Sequence, residues 1–81
     1  MNQVSEYAEF VEYIVKSLVD APDEVSVHDF EERSTIYLEV TVASDDMGRV
    51  IGKGGSVVNS IRMLLQVLAN RTGKRISLEI V

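Results

Sequence analysis

The chain has no cysteine, which removes both a disulfide framework and a thiolate metal site. Histidine occurs once, at His28, so a histidine metal cluster is excluded too. Proline also occurs once, at Pro22, where it marks the end of a helix rather than interrupting one. No apolar run is long enough to span a membrane. The first residues are acidic and amphipathic, unlike a basic stretch followed by an apolar signal core. These absences lead to the expectation of a cytoplasmic protein without metal or cofactor.

What is present suits one small domain. Eighty-one residues lie near the lower limit at which an apolar core holds a fold without staples, so residues 1–81 are read as a single unit. The net charge of −5 argues against nucleic acid, but its distribution argues the other way. Residues 1–47 hold twelve acids against two bases (Lys16 and Arg33), a balance of −10. Residues 48–81 hold six bases (Arg49, Lys53, Arg62, Arg71, Lys74 and Arg75) against Glu79, a balance of +5. Such asymmetry suggests a basic side and an acidic side, although a solvated surface without a partner would look the same.

Hydrophobic periodicity supplies the elements. Val4, Tyr7, Ala8, Val11, Ile14, Val15 and Leu18 recur at helical spacing, predicting an amphipathic helix over residues 4–20, with Tyr7 and Phe10 on its core face. Val25 and Val27 alternate with Ser26 and His28 as a short strand, and Glu31-Glu32-Arg33-Ser34 reads as a turn. Ile36, Leu38, Val40 and Val42 alternate with Tyr37, Glu39 and Thr41 as a half-buried strand. Ser44-Asp45-Asp46 is a helix-start signal before a short helix over Met47 to Ile51. A longer helix follows from about Ser56 to Arg71, with Val57, Val58, Ile61, Leu64, Leu65 and Leu68 as its apolar stripe and Gly73 as its cap. Ile76, Leu78 and Ile80 alternate as a last strand. The order α-β-β-α-α-β predicts an α+β fold. A tight turn makes the first two strands antiparallel, and the two-helix connection suits a parallel crossover to the third. The expected result is a three-stranded mixed sheet covered on one face by three helices. Tyr37, Glu39, Thr41, Ser77 and Glu79 would face water on the other.

One segment points its chemistry outward: Gly52-Lys53-Gly54-Gly55, set between Val50-Ile51 and Val57-Val58. Glycines permit φ > 0 and close backbone approach, Lys53 adds charge, and a helix starting after Gly55 turns its unpaired N–H groups toward the same space. The combination suits phosphates. It is not a nucleotide P-loop, because Gly48 to Gly52 is one residue short and Lys53 is followed by Gly54. It also fails the dinucleotide fingerprint, since Gly55-Ser56-Val57 follows Gly52-Lys53-Gly54 and the loop follows a helix rather than a strand. A plain helix–helix turn remains the bland alternative, although such a turn rarely needs three glycines and a lysine.

With Gly48-Arg49 before it, Val50-Ile51-Gly52-Lys53-Gly54-Gly55-Ser56-Val57-Val58 resembles the KH domain, whose G-x-x-G loop clamps about four nucleotides of a single strand. Only about ten residues follow the long helix, enough for one strand, so the resemblance is to the type II arrangement. A free-standing domain of this size resembles the bacterial KhpA (YlqC-like) family. That resemblance implies a small RNA-binding protein that self-associates or pairs with KhpB (Jag/EloR), with links to RNA regulation, cell elongation and cell-wall homeostasis.

On this reading Gly52, Lys53, Gly54 and Gly55 form the clamp, with backbone N–H groups near Gly55 and Ser56 on phosphate. Arg49 and Arg62 would be flanking contacts, or ordinary solvated charges; Arg71, Lys74 and Arg75 would complement the helix C-terminus. Val50, Ile51 and Val58 would be core first and groove floor second. The aromatics Tyr7, Phe10, Tyr13, Phe30 and Tyr37 all precede the loop, so affinity would come mainly from phosphates. About four phosphate contacts would give a slope of log K against log salt near −3. Glu31-Glu32, read as the family's variable loop, is short and acidic, which makes a second copy useful. Ser60, Met63 and Val67 lie off the main stripe and offer a contact surface for a homodimer or a KhpB-like partner, with partial burial as the alternative. An enzyme has no support: His28 lacks a partner, and Asp45-Asp46 reads as a helix cap rather than a metal site.

Overall fold

The computed structural model describes residues 5–81. Helix α1 spans Glu6–Leu18, strand β1 Ser26–Glu32, strand β2 Thr35–Thr41, helix α2 Met47–Ile51, helix α3 Ser56–Asn70 and strand β3 Arg75–Ile80. The order is the expected one, and the strands lie β1-β2-β3, the first pair antiparallel and the second parallel. Val4, placed in the first helix by its periodicity, lies outside the described residues.

Helix α1 starts where Ser5 accepts a hydrogen bond from the Ala8 N–H at 3.0 Å, two residues later than periodicity suggested. It buries Ala8, Val11 and Val15. Tyr7 packs against the core, but Phe10 is 37% exposed, contrary to its expected place on the core face. Helix α3 buries Val58, Ile61, Leu65 and Ala69. Its expected stripe is therefore too wide, because Leu64 is 54% and Leu68 37% exposed. From β2, Ile36, Leu38 and Val40 meet these helices, with Leu78 of β3 beside them. Helix α2 packs between α1 and α3 and places Val50 in the same core.

The hairpin is tighter than the sequence suggested. Glu31 and Glu32 belong to β1, paired with Ile36 and Thr35, and are not turn residues. The turn is Arg33-Ser34 alone, with φ of 52° and 65°, the two-residue geometry that matches strand twist. Asp46 also differs from expectation. It makes no side-chain cap on α2. Instead its buried carboxylate accepts hydrogen bonds from the N–H groups of Asp20 and Ala21, each at 3.1 Å. It thus ties the chain after α1 to the entrance of α2. At the end of α3, Gly73 has φ 72° and the Lys74 N–H bonds the Ala69 carbonyl at 3.0 Å, the expected glycine-assisted stop.

Candidate nucleic-acid interface

Gly52 ends α2: its N–H donates to the Gly48 carbonyl at 2.8 Å, and its φ of 77° and ψ of 169° turn the chain outward. That backbone region is open essentially to glycine alone. A β-carbon there would lie 2.5 Å from Val57 Cγ2 and 2.7 Å from the Val57 nitrogen, so space as well as φ requires glycine. Lys53 to Gly55 then form a single tight turn, with the Gly55 N–H on the Gly52 carbonyl at 3.1 Å. Gly54 (φ 63°) and Gly55 (φ 82°) continue in left-handed backbone. Nothing lies within 4 Å of where a Gly54 β-carbon would stand, so the loop's outer edge is open.

Helix α3 begins directly after this turn with no side-chain cap. The Ser56 N–H donates to the Lys53 carbonyl and the Gly55 N–H to the Gly52 carbonyl, so the two amides expected on phosphate are already engaged within the turn, and what faces the open space is the positive end of the helix. Lys53 and Ser56 are exposed, while Ile51 is half-buried and Val58 is buried beneath them. Among the described residues, no ion pair involves Lys53. The loop therefore combines an open backbone, a helix amino end and one free cation.

The two arginines expected to flank the loop are differently placed. Arg49 pairs with Asp20 at 3.0 Å, both side chains well exposed. Arg62 donates from Nε and Nη2 to the Leu78 carbonyl at 3.2 and 2.9 Å, and from Nη1 to Asn59 Oδ1 at 2.8 Å. It serves the free edge of β3 rather than standing ready for phosphate. Gln66 does the same one turn later, accepting from the Ile76 N–H and donating to the Lys74 carbonyl, each at 3.2 Å. Lys74 pairs with Glu31 at 3.0 Å. Two cross-links thus join the basic half of the sequence to the acidic half, so the charge split along the chain is partly cancelled in space.

Asn59 and Asp20 were not singled out from the sequence. Asn59 Nδ2 would lie 3.3 Å from a β-carbon on Gly55, so it stands between the loop and Arg62, to which its Oδ1 is bonded. Its position three residues before Arg62 on one helix face was a usable signal. Asp20 had none, being brought to Arg49 only by the Asp46 tie. The surface expected for a partner is open: Met63 is 71% and Val67 62% exposed, and Ser60 is exposed beside them. The described residues hold no group of acidic, histidine or cysteine side chains suited to a metal, and no helix long and apolar enough to cross a membrane.

The family model for the KhpA/KhpB KH domain matches residues 8–80. The RNA-binding protein KhpA of Chlamydia trachomatis is 47% identical over 72 residues, covering 89% of this chain and 92% of that one. The RNA-binding protein KhpA of Borreliella burgdorferi is 40% identical over 80 residues, covering 99% and 98%. Among solved structures, a variant of Era from Aquifex aeolicus, bound to GDP and aluminium fluoride, aligns with a TM-score of 0.64 at 22% identity. That alignment covers 91% of this chain but only 29% of Era, and it bears on the fold alone. With the loop and the element order already in place, the match over almost the whole length settles the family: the chain belongs to the KhpA/KhpB KH-domain family.

Proposed function

We propose that this chain binds single-stranded RNA by clamping its backbone against Gly52-Lys53-Gly54-Gly55 and the amino end of α3, and that it is not an enzyme. The observation that carries this reading is the loop itself. Three positive-φ glycines, Gly52, Gly54 and Gly55, flank one exposed lysine outside any ion pair among the described residues. The name of the relatives, RNA-binding protein KhpA, supports it. Contacts fall to Gly52, Lys53, Gly54, Gly55 and Ser56, with Ile51 as groove floor. Arg49 joins them when it leaves Asp20, while Arg62, expected as a flanking contact, supports the site indirectly by holding Asn59 and the β3 edge.

The clamp is weak alone, with one free cation, and works in a homodimer or beside a KhpB-like partner through Ser60, Met63 and Val67 of α3. In that form the chain acts in the cytoplasm as an RNA chaperone or post-transcriptional regulator, with the family's links to cell elongation and the cell wall. The same exposed residues favour a second reading, a protein-interaction domain whose loop is vestigial.

Lys53→Asp combined with Gly54→Asp separates the two. Both side chains enter open space, and Asp tolerates left-handed backbone better than most residues. RNA crosslinking in cells should collapse while circular dichroism and sedimentation stay unchanged. Crosslinking that survives in the folded variant would remove the clamp.

A further inference from the structure

The helix-free face of the sheet carries an aromatic stack. Phe30 and Tyr37 are direct cross-strand partners, their ring centroids 4.8 Å apart and their planes 15° from parallel. Such a pair steadies a hairpin. It also leaves Phe30 48% exposed on a face that no helix among the described residues covers.

The surroundings are graded. Toward the turn, the register sets Glu32, Thr35 and Arg75 in one row, and the Arg75 N–H on the Ser34 carbonyl at 2.9 Å brings that row against the turn bearing Arg33. Arg33 and Arg75 are both exposed, and neither forms an ion pair among the described residues. Ser77 completes the aromatic row. The next row is His28, Glu39 and Glu79, with the two glutamates as direct neighbours. The face therefore carries two arginines against Glu32 at one end, the aromatic pair in the middle and two glutamates at the other.

This pattern suits a nucleobase better than a protein. The centre of a protein interface needs contiguous apolar area, and two rings among serine, threonine and charged residues do not supply it. A base needs only one open ring face, with a guanidinium near its phosphate. Glu39 and Glu79 would repel a phosphate from their end, which directs the backbone toward Arg33 and Arg75. We propose that Phe30 and Tyr37 form a second nucleic-acid contact, stacking a base of the strand held by the glycine loop while Arg75 and Arg33 meet its phosphate. This rests on the RNA reading of that loop. The domain is 34 Å in its longest extent and 17 Å in its thinnest. Ten nucleotides, at about 3.4 Å or more each, match or exceed that longest extent.

The chain has no tryptophan, so Phe30→Trp places a single reporter on the platform. Ten-nucleotide RNA should quench its fluorescence over the same concentrations at which anisotropy reports binding. Phe30→Thr, which keeps a strand-favouring residue, should weaken ten-nucleotide RNA about fivefold or more and leave four-nucleotide RNA unchanged. RNA that binds Phe30→Trp without quenching it, and Phe30→Thr as tightly as the parent chain, would overturn the platform and leave the loop intact. So would a change in sedimentation without quenching, the mark of a protein contact. Undiminished anisotropy binding of four-nucleotide RNA by the Lys53→Asp, Gly54→Asp variant would instead overturn the loop reading, whatever the tryptophan reports.

Discussion

Arg62 lies along the free edge of β3 and gives two of its donors to one carbonyl, that of Leu78, at 3.2 and 2.9 Å. Leu78 is only 3% exposed, so little water can replace those bonds. An arginine two turns into α3 thus closes a strand edge that would otherwise offer unpaired groups to another chain.

The expected consequence is that Arg62→Met acts on stability more than on binding. It retains the stem and removes the donors, leaving the carbonyl short of partners at a cost of about 1–3 kcal/mol. Urea denaturation should show that loss, while RNA affinity per folded molecule changes less than threefold. A large loss of affinity at unchanged stability would return Arg62 to the phosphate contacts.

Gly52 and Gly54 should respond unequally to the same substitution. Gly52→Ala forces a β-carbon against the Val57 backbone in a region essentially reserved for glycine, and should cost at least about 2 kcal/mol. Gly54→Ala meets open space and only the left-handed penalty, about 1–2 kcal/mol. Chemical denaturation of the two variants side by side checks the order.

Salt dependence tests how much charge the loop commands. With Arg49 on Asp20 and Arg62 on Leu78, the slope of log K against log salt for four-nucleotide RNA, which reaches only the loop, should fall near −0.7 to −1.4, the range for about one or two neutralised phosphates, rather than the −3 expected from sequence. Asp20→Asn frees Arg49 from an exposed ion pair worth about 1 kcal/mol or less. It should steepen the slope by about 0.7 and tighten binding at low salt. Affinity measured across a salt series reads both effects.

Met63→Glu with Val67→Glu should leave the fold unchanged, because both side chains are mostly in solvent. If α3 joins two copies, sedimentation equilibrium will show the variant as a monomer where the parent chain is a dimer. Identical sedimentation of the two proteins would move the contact elsewhere.

The places where sequence and structure part have physical causes. The apolar arc of α3 takes in Leu64 and Leu68, but the sheet, α1 and α2 cover only the row Val58, Ile61, Leu65 and Ala69. Periodicity reports which residues are apolar, and not how much neighbouring surface exists to meet them. Ala69 is too small to stand out in such a pattern. Glu31 and Glu32 read as a turn because they are charged, yet a strand edge beside water accepts charge, and two residues suffice for the turn. Asp46 followed a helix-start pattern, but its partners, Asp20 and Ala21, are about twenty-five residues away.

The sequence by itself determined the element order, the parallel and antiparallel pairings and the glycine loop, because periodicity, turn length and glycine's freedom are local properties. Only the tertiary structure decided which charges remain free. Asp20 meets Arg49, Leu78 meets Arg62 and Glu31 meets Lys74 through long-range packing, which leaves Lys53 as the loop's open cation. It likewise set Phe30 against Tyr37, since a cross-strand stack exists only once the hairpin register is fixed.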